Sequence, residues 1–381
     1  MTAVATPARA PRVPRGLTLT GISLVAIVIY YFVLVLVVSR DPDPATSSSA
    51  FRTAAQQVAN ALSIGAIYAL IALGYTMVYG IIELINFAHG DVFMVGAFIA
   101  SWVLLSAPST GPVGFLGDPN GPFGFLGGLG LKTSGSIDNV PLLIFYVAIA
   151  LAVTMPLTGG LNMFIERFFY RPLRNAPRLA PLITAIGVSF ILQNIMLVAA
   201  GSGDRRAPQI FPGAWSFNVP LVGARIPLLD LFILALALTL MIALTQFVAR
   251  TRLGRAMRAT AQDREASALM GVDLNQTIAL TFLLGGALAG AAGVVWGLRF
   301  PFVRQDLGFN AGLKAFTSAV LGGIGNITGA VLGGFIIGFV EVGAATIGLL
   351  RWAELIVFAI LTLVLVFRPA GLLGQQIGER A

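Results

Sequence analysis

The stretch Glu83-Leu-Ile-Asn-Phe-Ala-His-Gly-Asp91 sets an acid, an amide, an imidazole and a second acid between two long apolar segments. Ionisable groups at membrane depth are costly and face a bundle interior or a water-filled path. Asn86, His89, Gly90 and Asp91 are therefore candidates to line a translocation route. The same residues also suit a tight cytoplasmic turn, with Asn86 capping a helix that begins near Phe87 and both acids wet. His89 is the chain's single histidine, so a proton relay through it has no predicted partner.

A second constellation is the segment from Arg250 to Asn275, which holds Arg250, Arg252, Arg255, Arg258 and Arg264. Its residues from Leu253 to Leu269 are good helix formers, with Ala256, Ala259, Ala266 and Leu269 near one face and Gly271 as the stop. Such an amphipathic helix can dock into a groove on a soluble partner or lie on lipid headgroups, held by its arginines. The third constellation is the glycine tract from Val320 to Gly334, with Gly322, Gly323, Gly325 and Asn326 as further path candidates.

These residues must be positioned by membrane helices, because the composition leaves little else. Hydrophobic residues make up 57% of the 381 and charged residues only 10%, with a mean hydropathy of +0.89. A soluble domain carries about 25% charged residues, so lipid must be the solvent for much of this chain. Cysteine is absent and histidine single, which excludes disulfides, thiolate sites and multi-imidazole metal centres. The net charge of +8 is spread in short runs between apolar stretches, which fits membrane topology rather than a nucleic-acid partner.

Crossing a bilayer core takes about 20 apolar residues. Segments of that kind run from Leu17 to Val38, Val58 to Ile82, Phe87 to Leu105, Pro141 to Ile165, Leu179 to Ala200, Leu228 to Val248 and Thr277 to Leu298. A glycine-rich tract from Ala315 to Ile347 and a last span from Ala353 to Phe367 follow. The basic loops around Arg167, Arg171, Arg174 and Arg178 and around Arg250 to Arg264 should be cytoplasmic. Counting spans back from them places the basic N-terminus inside too, so Leu17 to Val38 reads as a retained anchor rather than a cleaved signal. For Arg368 to end inside as well, the chain after Leu298 must cross an odd number of times. The glycine tract is therefore expected to break, as a re-entrant loop or as two short legs. The plainer alternative is helix packing through the Gly-x-x-x-Gly of Gly325 to Gly329.

The expected fold is an all-α bundle of about eight spans plus a broken or re-entrant glycine-rich segment. A cytoplasmic tail, 1–16, precedes a permease domain, 17–374, and a short tail, 375–381, follows it. Arg40 to Ala54 reads as an exposed turn-rich loop. Residues 106–140, with Gly-Phe-Leu-Gly at Gly114 and Gly124, read as an external insertion.

Glu265-Ala-Ser, three residues, then Gly271 resembles the Glu-Ala-Ala-x-x-x-Gly signature of ABC-importer permeases, with Ser267 a small-for-small change. Gly74-Tyr-Thr-Met-Val-Tyr-Gly80, Ile85-Asn-Phe-Ala-His-Gly-Asp91 and Arg258-Ala-Thr-Ala-Gln-Asp-Arg-Glu265 are similar, in order, to the branched-chain amino-acid permease family. So are Lys314-Ala-Phe-Thr-Ser-Ala-Val-Leu-Gly-Gly-Ile-Gly-Asn326 and Phe367-Arg-Pro-Ala-Gly-Leu-Leu-Gly374. The resemblance runs from about Val58 to Gly374; the first span and the insertion depart from the family's compact form. It implies that the loop 250–275 forms a coupling helix through Arg258, Asp263, Arg264, Glu265, Ala266, Ser267 and Gly271. It also implies a second homologous permease, two cytoplasmic ATP-binding subunits and an extracytoplasmic solute-binding protein around a multi-pass protein of the cytoplasmic membrane.

No Gly-x-x-x-x-Gly-Lys-Ser/Thr loop is present, so ATP would be hydrolysed by a partner. No enzyme site recurs and no cofactor is implied. A carrier or channel working without an ATPase is the rival class. Carriers place acids within spans, and here Glu341 is the main one. Within the importer class, urea and short-chain amides stand beside leucine, isoleucine and valine as substrates.

Overall fold

The computed structural model describes residues 44–104 and 136–374, apart from 175, 178, 208, 214 and 220–223. The expected span Leu17–Val38, both tails and most of the 106–140 insertion lie outside the described residues.

Helix α1 spans Pro44–Ile82, α2 Ala88–Leu104, α3 Val140–Ile165, α4 Leu179–Ala200 and α5 Leu228–Arg250. Two short helices follow, α6 over Arg252–Gln262 and α7 over Arg264–Leu269. Then come α8 over Leu274–Arg299, α9 over Leu307–Gly322, α10 over Ile327–Thr346 and α11 over Ala353–Phe367. Among the described residues, seven helices are long and apolar enough to cross a membrane, and α2 is a shorter apolar helix. The loop expected over Arg40–Ala54 is corrected from residue 44 onward: Pro44 opens α1, because its fixed φ and missing N–H suit the first helical turn.

Burial separates core from rim. The apolar stretch of α1 is 89% buried and that of α8 72%, against 28% for α3, α4 and α5 and 11% for α11. The rim helices turn large apolar side chains outward, among them Phe190, Ile191, Ile195 and Val198 on α4 and Val366 and Phe367 on α11. Such faces are costly in water and suit contact with lipid or with a partner subunit. The core helices touch backbone to backbone: a Cβ added to Gly334 of α10 would stand 2.5 Å from the Ala69 backbone of α1.

The glycine tract breaks into two legs. α9 and α10 form an antiparallel hairpin whose turn, Gly323 to Asn326, uses positive φ at Gly323 (106°) and Gly325 (88°). The Asn326 side chain caps α10 by accepting from the Gly329 N–H at 3.2 Å. α10 and α11 are long and apolar enough to cross a membrane, whereas α9 is a shorter leg of 16 residues. The Gly325–Gly329 helix-packing reading is corrected, since Gly325 lies in the turn and Gly329 alone is helical.

The segment after α11 closes this turn. Leu372 and Leu373 donate backbone N–H to the carbonyls of Leu321 and Gly322 at 2.9 and 3.0 Å, and Asn326 Nδ2 donates to the Leu373 carbonyl at 2.9 Å. Helix C-termini leave four carbonyls without partners, and the chain end satisfies two of them on α9. Deleting residues 371–381 should therefore cost about 1–3 kcal/mol, read as a lowered Tm of the detergent-solubilised protein. An unchanged Tm would show that the strap holds nothing.

At the opposite end, two small ribbons were not foreseen in the sequence. β1, Arg205–Arg206, pairs antiparallel with β4, Phe302–Val303, and β2, Ser216–Val219, with β3, Ala224–Pro227. A polar knot stands below them: Ser63 donates to Asp230 at 2.8 Å, while Arg299 pairs with Asp230 at 3.2 Å and donates to Asn60 at 2.9 Å. It ties α1, α5 and α8 together.

Candidate functional site

α1 stops at Ile82, where the exposed Glu83 takes a positive φ of 54°. The chain then runs back into the bundle as non-helical backbone before α2 begins. Asn86 is buried; its carbonyl oxygen accepts from the Tyr170 hydroxyl at 3.0 Å, and its amide donates to Asn162 at 3.4 Å. Asn162 in turn donates to the Phe282 carbonyl of α8 at 2.7 Å. The side chain of Asn86 thus bridges helices, and the capping role weighed for it is not what its bonds show. The non-helical stretch is exposed at Glu83, half-buried at Leu84 and Ile85 and buried at Asn86, so protein shields its inner end, where bare backbone is tolerated.

His89 and Asp91 lie on the first turn of α2, deep in the bundle. A Cβ on Gly74 would overlap the His89 ring, and Gly74 lies eight residues, about 12 Å, above the end of α1. The ring packs edge-on to Tyr75 at 4.8 Å and faces the backbone of Ile71. Asp91 is fully buried and accepts from Ser189 and, at 3.1 Å, from Gln193, both on α4. Its place in the first turn of α2 sets a carboxylate against the positive end of a helix. Gly90 meets the first turns of α9, where a Cβ would stand 2.9 Å from the Gly312 Cα.

The path candidates therefore divide. Asn86, His89, Gly90 and Asp91 are buried in the core, Gly90 and Asp91 against the first turns of α9. Gly322, Gly323, Gly325 and Asn326 lie some fourteen residues away at its other end, about 21 Å off. There, Gly325 faces Gly80 near the end of α1.

That end also carries the arginine-rich hairpin. The single helix expected over Leu253–Leu269 is corrected to two, α6 and α7, broken at Asp263 (φ −157°, ψ 113°). An aspartate competes for backbone N–H groups and favours a cap over a helix interior; Asp263 accepts from the Ala266 N–H at 3.0 Å. The packed face of α6 is Gly254, Met257 and Thr260 rather than the alanines. Gly271 ends α7 with φ 84°. Val272 N–H bonds the Ser267 carbonyl and Gly271 N–H the Ala268 carbonyl, both at 3.0 Å, the paired bonds of a Schellman cap. Ser267 is buried, while Glu265 and Ala266 are exposed. Leu269 and Met270 at the tip are 88% and 84% exposed.

The hairpin is bolted to the bundle. Arg264 donates twice to the Ile81 carbonyl, at 2.7 and 3.1 Å, and Arg258 donates to the Val248 carbonyl at the end of α5. Beside it, Glu166 is fully buried between Arg171 and Arg174, and Arg174 reaches Asn275 at 2.8 Å. Both basic loops thus share one end of the molecule. Asp263→Ala should cost about 1 kcal/mol of local stability through the lost cap, seen as faster amide exchange over residues 264–269; unchanged exchange would count against it.

Sequence reasoning missed one charged group within the spans. Lys314 of α9 pairs with Glu341 of α10 at 2.7 Å, and the Tyr68 hydroxyl of α1 donates to the other Glu341 oxygen at 2.6 Å. Glu341 was visible as an acid inside an apolar span, whereas its partners only meet once the glycine tract folds into a hairpin.

Residues 57–365 match the family described as the permease component of the branched-chain amino acid transport system. The chain belongs to the branched-chain amino acid permease family. This permease is 41% identical to the high-affinity branched-chain amino acid transport permease BraD of Pseudomonas aeruginosa, across 85% of its own length and 97% of that protein. It is 38% identical to LivH of Escherichia coli K12 over the same shares. It is 26% identical to a LivH-type permease of Methanocaldococcus jannaschii, over 80% of its own length and 88% of the relative's.

Proposed function

We propose that this permease forms the membrane path of an ABC importer that carries leucine, isoleucine and valine across the cytoplasmic membrane. It pairs with a second homologous permease, two ATP-binding subunits on the side of the α6–α7 hairpin, and a solute-binding protein on the side of the β-ribbons. The hairpin end is cytoplasmic, as its arginine content indicates.

The observation that carries this reading is the hairpin itself. It presents two bare apolar side chains, Leu269 and Met270, at a tip that is hydrogen-bonded directly to α1 and α5. An exposed pair on a rigid lever suits a partner that moves. ATP binding in that partner shifts the hairpin, Arg264 passes the shift to the end of α1, and the glycine-lined contacts beneath allow the bundle to switch between two packings. Within the bundle, the acids that an ion-driven carrier would keep free are engaged, Glu341 by Lys314 and Asp91 by Ser189 and Gln193.

The test is copurification followed by reconstitution. The permease should bring down ATP-binding subunits and a second permease, and liposomes holding the full assembly should take up leucine only with ATP enclosed. Leucine uptake by the purified chain alone would replace the importer with a carrier.

A further inference from the structure

Lys314 and Glu341 lie within helices, not at their ends, and Tyr68, which completes the group, lies fourteen residues, about 21 Å, above the end of α1. A buried ion pair is a poor stabiliser: apolar residues of similar volume in its place often leave a fold equally stable. Its presence at membrane depth points to use.

The pair is also not sealed. Its side chains remain 14% and 19% exposed, and the surface they open onto is mixed. One turn before Lys314 stands the exposed amide of Asn310; the neighbouring stripe carries the exposed Phe309 and the half-buried Leu313. An amide and an ammonium on one helical stripe are costly against lipid tails, so this face of α9 borders water, while the stripe beside it stays apolar.

We infer that Lys314, Glu341 and the Tyr68 hydroxyl form a docking site for the zwitterionic head of an amino acid in transit, with Phe309 and Leu313 receiving its side chain. The charges balance at each stage. The Lys314 ammonium exchanges the Glu341 carboxylate for the substrate carboxylate, and the freed Glu341 oxygen takes the substrate ammonium while Tyr68 holds the other. A molecule with only one of the two charges would leave Lys314 or Glu341 unpaired in a poorly hydrated site. An uncharged amide or urea offers nothing that outcompetes the pair. The site thus selects amino acids over the amides and urea that the sequence left open.

This inference rests on the importer reading, and two measurements on the reconstituted assembly separate them. The natural chain has no cysteine, so Asn310→Cys gives a single thiol. It should react with a membrane-impermeant maleimide, and leucine-loaded binding protein with ATP should slow the reaction, while leucinamide and urea should not. The double variant Lys314→Met/Glu341→Met should still copurify with its ATPase subunits but lose leucine uptake by at least about tenfold, the loss of charge-assisted bonds to the substrate. A thiol that never labels, labelling indifferent to leucine, or uptake in the double variant equal to the unaltered assembly would each overturn the site. Should the double variant fail to assemble, the labelling result decides. If the unaltered assembly takes up no leucine at all, the importer reading fails instead.

Discussion

Aspartate at both Leu269 and Met270 is expected to strip the ATP-binding subunits from the purified permease and to abolish uptake. Both side chains stand almost wholly free at the hairpin tip, and burying each against a partner would contribute about 1.5–3 kcal/mol. Losing both amounts to about 3–6 kcal/mol, or a factor of 10² to 10⁴ in Kd. The bundle should not notice, because neither residue packs against it, so the variant's Tm should match that of the unaltered protein. A pull-down with the ATP-binding subunits and a thermal melt measure the two effects side by side. Retained binding would show that the tip is not the docking surface.

The second large effect is expected deep in the bundle. Valine at Gly308 would place a Cβ 2.7 Å from the Asp91 Cα and 2.8 Å from the Gly90 carbonyl oxygen. Those neighbours are backbone, so one of the two helices must move. Overpacking costs about 1–3 kcal/mol and occasionally more, and displacing α9 from α2 would also loosen the Asp91 bonds to Ser189 and Gln193. Uptake should fall close to zero and the amount of folded protein several-fold, while the hairpin, at the far end, keeps its affinity for the ATP-binding subunits in whatever fraction folds. Normal uptake by Gly308→Val would mean that this contact is not part of the working bundle.

Much of this architecture was legible in the sequence, for a physical reason. A span must hold about 20 apolar residues, so Leu179–Ala200 and Ala353–Phe367 read to within a residue of their final bounds. The arginine pattern pointed to a break somewhere in the glycine tract, as a re-entrant loop or two legs, and the turn at Gly323–Asn326 is where it falls. What could not be read depends on depth and register. A polar run between two spans looks the same whether it turns at the surface or folds back inside, so the re-entry of residues 83–87 was left open. The split at Asp263 was hidden by good helix formers on both sides, because one side-chain cap outweighed their summed propensity. Lys314 and Glu341 are 27 positions apart and become neighbours only through the hairpin register of α9 on α10. The ribbons β1–β4 and β2–β3 are too short to leave a period-two pattern.

A photo-crosslinking residue placed at Met270 of the assembled importer probes the lever itself. The account predicts a crosslink to the ATP-binding subunit whose yield changes when ATP binds, together with leucine uptake that requires ATP on that same side of the membrane. A crosslink to the solute-binding protein or to lipid alone, with uptake unaffected by ATP, would contradict it.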